Sequence, residues 1–193
     1  MRRVAAADLS FEVGSDRVFA GVVVLSWPGL ETVEELTREE RAAFPYVPGL
    51  LSFREIPALL PLFESLREPP DLVVCDGQGI AHPRRFGLAS HLGLLLATPT
   101  IGCAKSLLVG AHREPRPARG ARARLVVDGE TRGAALRTRA GVRPVIVSPG
   151  HLVSIDESVR WTLALSPRYR VPEPIRRAHA LVNRARRDII DAS

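Results

Sequence analysis

Apolar and polar residues alternate along this chain in two rhythms. From Val4 to Phe11, and again from Val18 to Ser26, apolar residues run together or alternate with small and polar ones, which is the pattern of strands. Gly14-Ser15-Asp16 lies between them as a turn, so the two form a hairpin. Trp27-Pro28-Gly29 turns the chain again, and Thr32 to Leu36 fits either a third strand or a short helix. Over FPYVPGLLSFRE (44–55), the prolines at 45 and 48 forbid a helix and bracket Tyr46. Ser52 then opens a helix to about Arg67, with apolar residues at 56, 59, 60 and 63, and Pro69-Pro70 ends it.

Asp71 to Asp76 reads as a buried strand, a helix runs from about Arg85 to Ala97, and Thr100 to Ala104 is a second buried strand. Strand, helix, strand in that order predicts a right-handed parallel crossover. Residues 111–124 are rich in Arg and Pro and read as a loop, followed by short strands near 123–128, 133–138 and 144–148. SPGHLVSIDES turns into a helix over about 155–165, and Pro172 and Pro174 introduce a last, basic helix from about Glu173 to Ile190. The expected fold class is α/β: a mixed sheet, antiparallel first and parallel later, covered by helices.

Composition narrows the setting. With 193 residues and 46% hydrophobic content, the chain fits one domain with one core. Nothing near Met1 resembles a cleavable leader. No apolar run approaches the roughly 18 residues of a membrane span. Cys75 and Cys103 both sit inside apolar runs, which points to a reducing, cytoplasmic setting, and their spacing offers no zinc ligand set.

The charge is uneven. Residues 1–82 hold 7 Arg against 13 Asp and Glu, while residues 83–193 hold 19 Arg and 1 Lys against 8, for a net of +6. A basic back half fits a polyanionic partner, although a general preference for Arg accounts for part of the excess. Lys105, in TIGCAKS, is the single lysine among 27 basic residues, and its retention hints at a need for a compact point charge.

Asp8 in AAADLSF and Asp76 in VVCDGQG each close an apolar run, where a lone charge is costly unless paired or holding a metal. Neighbouring strands would set the two carboxylates side by side, and a hard cation such as Mg²⁺ relieves their repulsion. Competing explanations stand beside this one. Asp76 with Gly77 could begin a turn, and Asp8 could be hydrogen-bonded at a strand end. Glu55 completes the capping signature Ser52-x-x-Glu55, which its spacing alone favours. Of His82, His91, His112, His151 and His179, His91 and His179 lie on helices and read first as packing residues. The residues alone therefore reach a metal-binding, nucleic-acid-facing α/β domain.

The segments AAADLSF (5–11), FPYVPGLLSFRE (44–55), PDLVVCDGQGIAHPRRFGLASHLG (70–93), PTIGCAKS (99–106), VSPGHLVSI (147–155) and PEPIRRAHALVNRARR (172–187) resemble, in order and spacing, the endonuclease V family of deoxyinosine-directed repair nucleases. The resemblance spans nearly the whole chain. It implies a ribonuclease-H-like fold over residues 1–193, acting as a single catalytic domain, a monomer with no membrane association. It also implies Mg²⁺, with Mn²⁺ accepted, held by Asp8, Glu55 and Asp76. His179 would lie close by, and Lys105 would be the catalytic lysine. Pro45, Tyr46, Val47 and Pro48 would form a wedge that opens the duplex. Gly49, Leu50, Leu51, Gly77, Gln78, Gly79 and His82 would surround an extruded hypoxanthine, with backbone amides of the two glycines facing it, and Arg84 and Arg85 would meet phosphates. The implied reaction hydrolyses the second phosphodiester 3′ to the deaminated base in damaged DNA. Inosine-containing single-stranded RNA is the alternative substrate, and a non-catalytic nucleic-acid-binding relative is the alternative class. Retention of every acid and of the lysine stands against the latter. Because Met1 stands almost at the first strand, the family's helical segment before that strand is expected to be absent here.

Overall fold

The computed structural model describes residues 1–12, 14–41 and 51–190. Strands β1 (Arg3–Phe11), β2 (Arg17–Ser26) and β3 (Thr32–Arg41) lead into helix α1 (Leu51–Glu64). Strand β4 (Leu72–Cys75), helix α2 (Leu88–Leu96) and strand β5 (Thr100–Ala104) follow. Then come β6 (Arg122–Val127), β7 (Glu130–Leu136), β8 (Val145–His151), α3 (Ile155–Ala164) and α4 (Glu173–Ile190). One eight-stranded sheet carries them in the order β3-β2-β1-β4-β5-β8-β7-β6.

The middle of the sheet is parallel and both wings are antiparallel. β1, β4 and β5 run together, with Ala5 beside Val73 and Val73 beside Thr100. The expected parallel second half is therefore confined to β4 and β5. The reason lies in the connections, since parallel neighbours need a long crossover. β6 and β7 are instead joined by Asp128-Gly129, with φ of 51° and 78°. Two successive positive φ values build the tight hairpin turn that only antiparallel strands can use.

Thr32 to Arg41 resolves as a strand, longer than the sequence pattern marked, pairing with β2 from Arg17 opposite Arg41 to Leu25 opposite Thr32. Helical preference loses here because β2 is buried along nearly its whole length and offers a free edge. β3 in turn is charged and largely exposed, as suits an edge strand that must not pair further. Helix α2 starts at Leu88, not near Arg85. Arg85 adopts φ 55° and Gly87 is extended, so the helix cannot begin before them.

Two apolar layers clothe the sheet. On one face Val4, Ala6, Leu72, Val74 and Ile101 meet Val159, Leu165, Ile175 and Ala178 of α3, α4 and the segment between. On the other, Ala5, Val22, Val24 and Val73 meet Ile56, Leu59 and Phe63 of α1 and Leu88 and Leu92 of α2. Gly21 controls how closely α4 approaches, since a Cβ there would lie 2.7 Å from Val182 Cγ1. Gly21 is also the cross-strand neighbour of Asp8. Among the described residues no helix is long and apolar enough to cross a membrane.

Candidate active site

The carboxyl ends of the three parallel strands gather the candidate chemistry. Ala5 and Val73 are register partners, so Asp8 and Asp76, each three residues further on, reach the same level of adjacent strands. Lys105 immediately follows β5, the next strand over. Its Nζ donates to Asp76 Oδ2 at 2.5 Å. Helix α4, let in by Gly21, brings His179 Nδ1 to 2.7 Å from Asp8 Oδ2. The other oxygen of Asp8 accepts the Leu9 N–H at 2.9 Å. Glu55 comes from the opposite face, on the first turns of α1.

Electrostatics ties the three acids together. Burial pushes the Glu55 carboxyl up to about 8, and the charges of Asp8 and then Asp76 add to the rise. Burial likewise raises Asp8, opposed by its hydrogen bonds to His179 and Leu9 and reinforced by Asp76. The same site makes itself felt below it: burial lifts the Cys75 thiol to about 12, with Glu55 and Asp76 contributing. As the side chains stand, no three His, Cys, Asp or Glu among the described residues close into a metal-ligand cluster. Asp76 and Asp8 instead turn to Lys105 and His179. The donor set nonetheless suits a hard divalent cation. It consists of half-buried carboxylates that repel one another, and extra positive charge would relieve that repulsion.

Several positioning groups escaped sequence inspection. Arg170, between α3 and α4, donates to the carbonyl of Lys105 at 2.6 Å, of Arg143 at 2.8 Å and of Pro144 at 2.9 Å. One guanidinium thus ties the lysine's backbone to the start of β8. Asn183 Nδ2 lies 3.1 Å from His179 Nε2 and donates to the His179 carbonyl at 2.8 Å, bracing the ring that meets Asp8. No motif marks Arg170, which acts through contacts between distant segments, whereas Asn183 lies one turn along α4 from His179.

Gly79 packs so tightly on β8 that a Cβ would lie 1.9 Å from the Pro149 carbonyl oxygen. Its N–H donates to Ser148 Oγ at 2.9 Å, and that of Gly77 to the Cys75 carbonyl at 3.0 Å. The two amides are therefore consumed within the fold, contrary to the expectation that they face a ligand; close packing is what demands glycine at 79. Gln78 is buried and donates to the Ser106 carbonyl at 3.3 Å, while its Oε1 has no partner among the described residues. His82 is buried, and burial first and Arg84 second lower its pKa. Arg85 forms an ion pair with Glu130 of β7. Ser52 does not cap α1, which already includes Leu51; its hydroxyl meets His91 Nδ1 at 3.2 Å. His91 in turn lies between Phe53 and Phe86, with ring centroids 5.2 and 5.0 Å away. Pro45, Tyr46, Val47, Pro48, Gly49 and Leu50, and the side chain of Leu51, lie outside the described residues.

Comparison with known proteins gives a consistent result. The family profile described as Endonuclease V matches residues 1–180. The Endonuclease V of Myxococcus xanthus is 53% identical over 187 residues, covering 97% of this chain and 80% of that protein. The crystal structure of the Streptomyces avermitilis Endonuclease V superposes with a TM-score of 0.93 at 48% identity, over 97% of this chain and 82% of the other. A Ciona intestinalis Endonuclease V, solved in complex with a 24mer DNA containing an inosine followed by a ribo-adenosine, gives 0.83 at 27% identity, over 97% and 87%. The fold shared with these structures is ribonuclease-H-like.

Proposed function

This chain belongs to the endonuclease V family of nucleases, and from that premise we propose that it is a metal-dependent phosphodiesterase that cuts strands at deaminated purines. Its substrate is DNA carrying deoxyinosine, and it hydrolyses the second phosphodiester 3′ to the lesion, leaving a 3′-hydroxyl and a 5′-phosphate. The observation that carries the reading is the row formed by Asp8 within β1, Asp76 just after β4 and Lys105 just after β5, on three adjacent parallel strands. The complex of the Ciona relative with inosine-containing DNA supports the choice of substrate.

Each of the site residues has a distinct task in this reaction. A divalent cation held by Asp8, Glu55 and Asp76, Mg²⁺ with Mn²⁺ as an accepted substitute, would supply Lewis acidity and a water acidic enough to attack at neutral pH. Lys105 places an ammonium beside Asp76, where it neutralises charge that builds on the phosphoryl oxygens. His179 holds the Asp8 carboxylate in place through Nδ1, and Asn183 holds His179. Arg170 keeps the Lys105 backbone from drifting. Binding energy comes largely from phosphates meeting arginines, so affinity should fall steeply with salt.

A labelled duplex with one deoxyinosine, incubated with Mg²⁺ or with chelator, tests the proposal. Nicking in Mg²⁺ alone, and its loss in Asp76→Ala with lesion binding retained, is the expected result. Full nicking by Asp76→Ala would overturn the assignment. Inosine in single-stranded RNA is the second reading, kept because the strand in the Ciona complex has a ribo-adenosine after its inosine. Matched DNA and RNA substrates decide between them by kcat/KM.

A further inference from the structure

Directly beyond Lys105 the chain builds a second feature that the cleavage site does not use. The backbone leaves β5 in the middle of the sheet and, by Ala111, pairs with the outer edge of β6 through two hydrogen bonds to Val126, each 2.9 Å. Gly110, with φ 80°, permits that approach, since a Cβ there would lie 2.3 Å from the Val126 carbonyl oxygen. Between this segment and β6 lies a groove of about 770 Å³, lined by Arg113, Arg116, Arg122 and Arg124 with His112. A smaller cleft of about 340 Å³ shares His112 and Glu114 with it and ends at Lys105 and Arg143. The two form one trough leading away from the lysine.

Its charge is unspent. Among the described residues Arg113, Arg116, Arg124 and Arg143 are exposed and enter no ion pair. Glu114, an acid on the trough wall, is already paired with Arg137. Arg122 pairs with exposed Asp156 at 2.8 Å. A groove lined by exposed guanidinia, with the exposed apolar Leu107 and Val126 on its walls, fits a sugar-phosphate strand with its bases turned to those side chains. We infer that this trough carries the nucleic-acid strand onward from the scissile phosphate, so that it is a phosphate track on one side of the cut. The inference rests on the cleavage site proposed above.

The test uses the full chain and its triple variant Arg113→Ala/Arg116→Ala/Arg124→Ala, whose side chains bear no ion pairs that folding needs. Binding and single-turnover nicking are measured on a long strand with a central deoxyinosine and on strands trimmed from the 5′ or the 3′ end. On the long strand the variant should bind at least about tenfold more weakly, with a salt slope shallower by roughly two to three. Trimming one end, and not the other, should erase the difference between variant and wild type. Equal affinity and equal salt slope on the long strand would overturn the track, as would a deficit that survives trimming from either end. If the wild type binds in this end-dependent way yet nicks nothing, the track stands and the cleavage reading falls.

Discussion

At the scale of single residues, the site is governed by three acids that do not tolerate one another's charge. Glu55 is the sharpest case, because its carboxyl is raised to about 8. Between the ordinary glutamate range and pH 8, the folded chain holds a proton that the unfolded chain has released. Its contribution to stability is complete in acid, declines across that window, and is gone above pH 8. In chelator, the thermal midpoint should therefore fall from pH 5 to pH 9 more steeply in wild type than in Glu55→Gln, and added Mg²⁺ should shrink the gap. Parallel curves for the two proteins would contradict the coupling. Arg170 offers a second prediction. Arg170→Ala should lower the single-turnover rate by about ten- to a hundredfold with little change in Kd, as expected when a catalytic group is displaced without being removed. Arg170→Lys should not rescue it, because one ammonium cannot span three carbonyls as a guanidinium does. Asp8, Asp76 and Lys105 were legible in the sequence, two as charges closing apolar runs and one as the only lysine. His179 was not, since on residues alone a helical histidine reads as packing; its contact with Asp8 spans 171 positions of chain.

At the scale of elements, position depends on close approach. α4 reaches β1 and β2 because Gly21 leaves room for Val182, and that approach sets His179 beside Asp8. Gly21→Val should push α4 outward, cost about 1 to 3 kcal/mol of stability as overpacked cores do, and lower nicking. Urea unfolding and the cleavage assay check both effects, and nicking at the wild-type rate would show that the helix position is immaterial. The same scale shows why signatures need context. Ser154-x-x-Glu157 and Ser52-x-x-Glu55 share one spacing. Only the first is a capping box, with the Glu157 N–H donating to Ser154 Oγ at 3.2 Å and Glu157 accepting the Ser154 N–H at 2.8 Å. The second lies inside α1, where Glu55 is free for other work. The hairpin β1–β2 and the crossover β4–α2–β5 followed from apolar spacing. The strand identity of residues 32–41 did not, because it comes from the waiting edge of β2 and not from local preference.

At the scale of the whole molecule, the uneven charge sorts into two uses. Much of the acidic front half is answered within the fold: Glu34 by Arg3, Glu39 by Arg17, and Glu35 by Arg184 of α4. Arg113, Arg116 and Arg124, which enter no ion pair among the described residues, instead line a groove beyond Lys105, on the wing of the sheet away from β3. No composition statistic could separate the two sets, since the separation is made by strand order. The central claim of the proposed function is that Asp8, Glu55 and Asp76 share one cation. Calorimetric titration of the chelator-stripped protein with Mn²⁺ tests it most directly, with Asp8→Asn and Asp76→Asn beside the wild type and unfolding curves to establish that each is folded. Saturable binding by wild type, lost in both variants, is the predicted result; variants that fold and bind Mn²⁺ as tightly as wild type would contradict it.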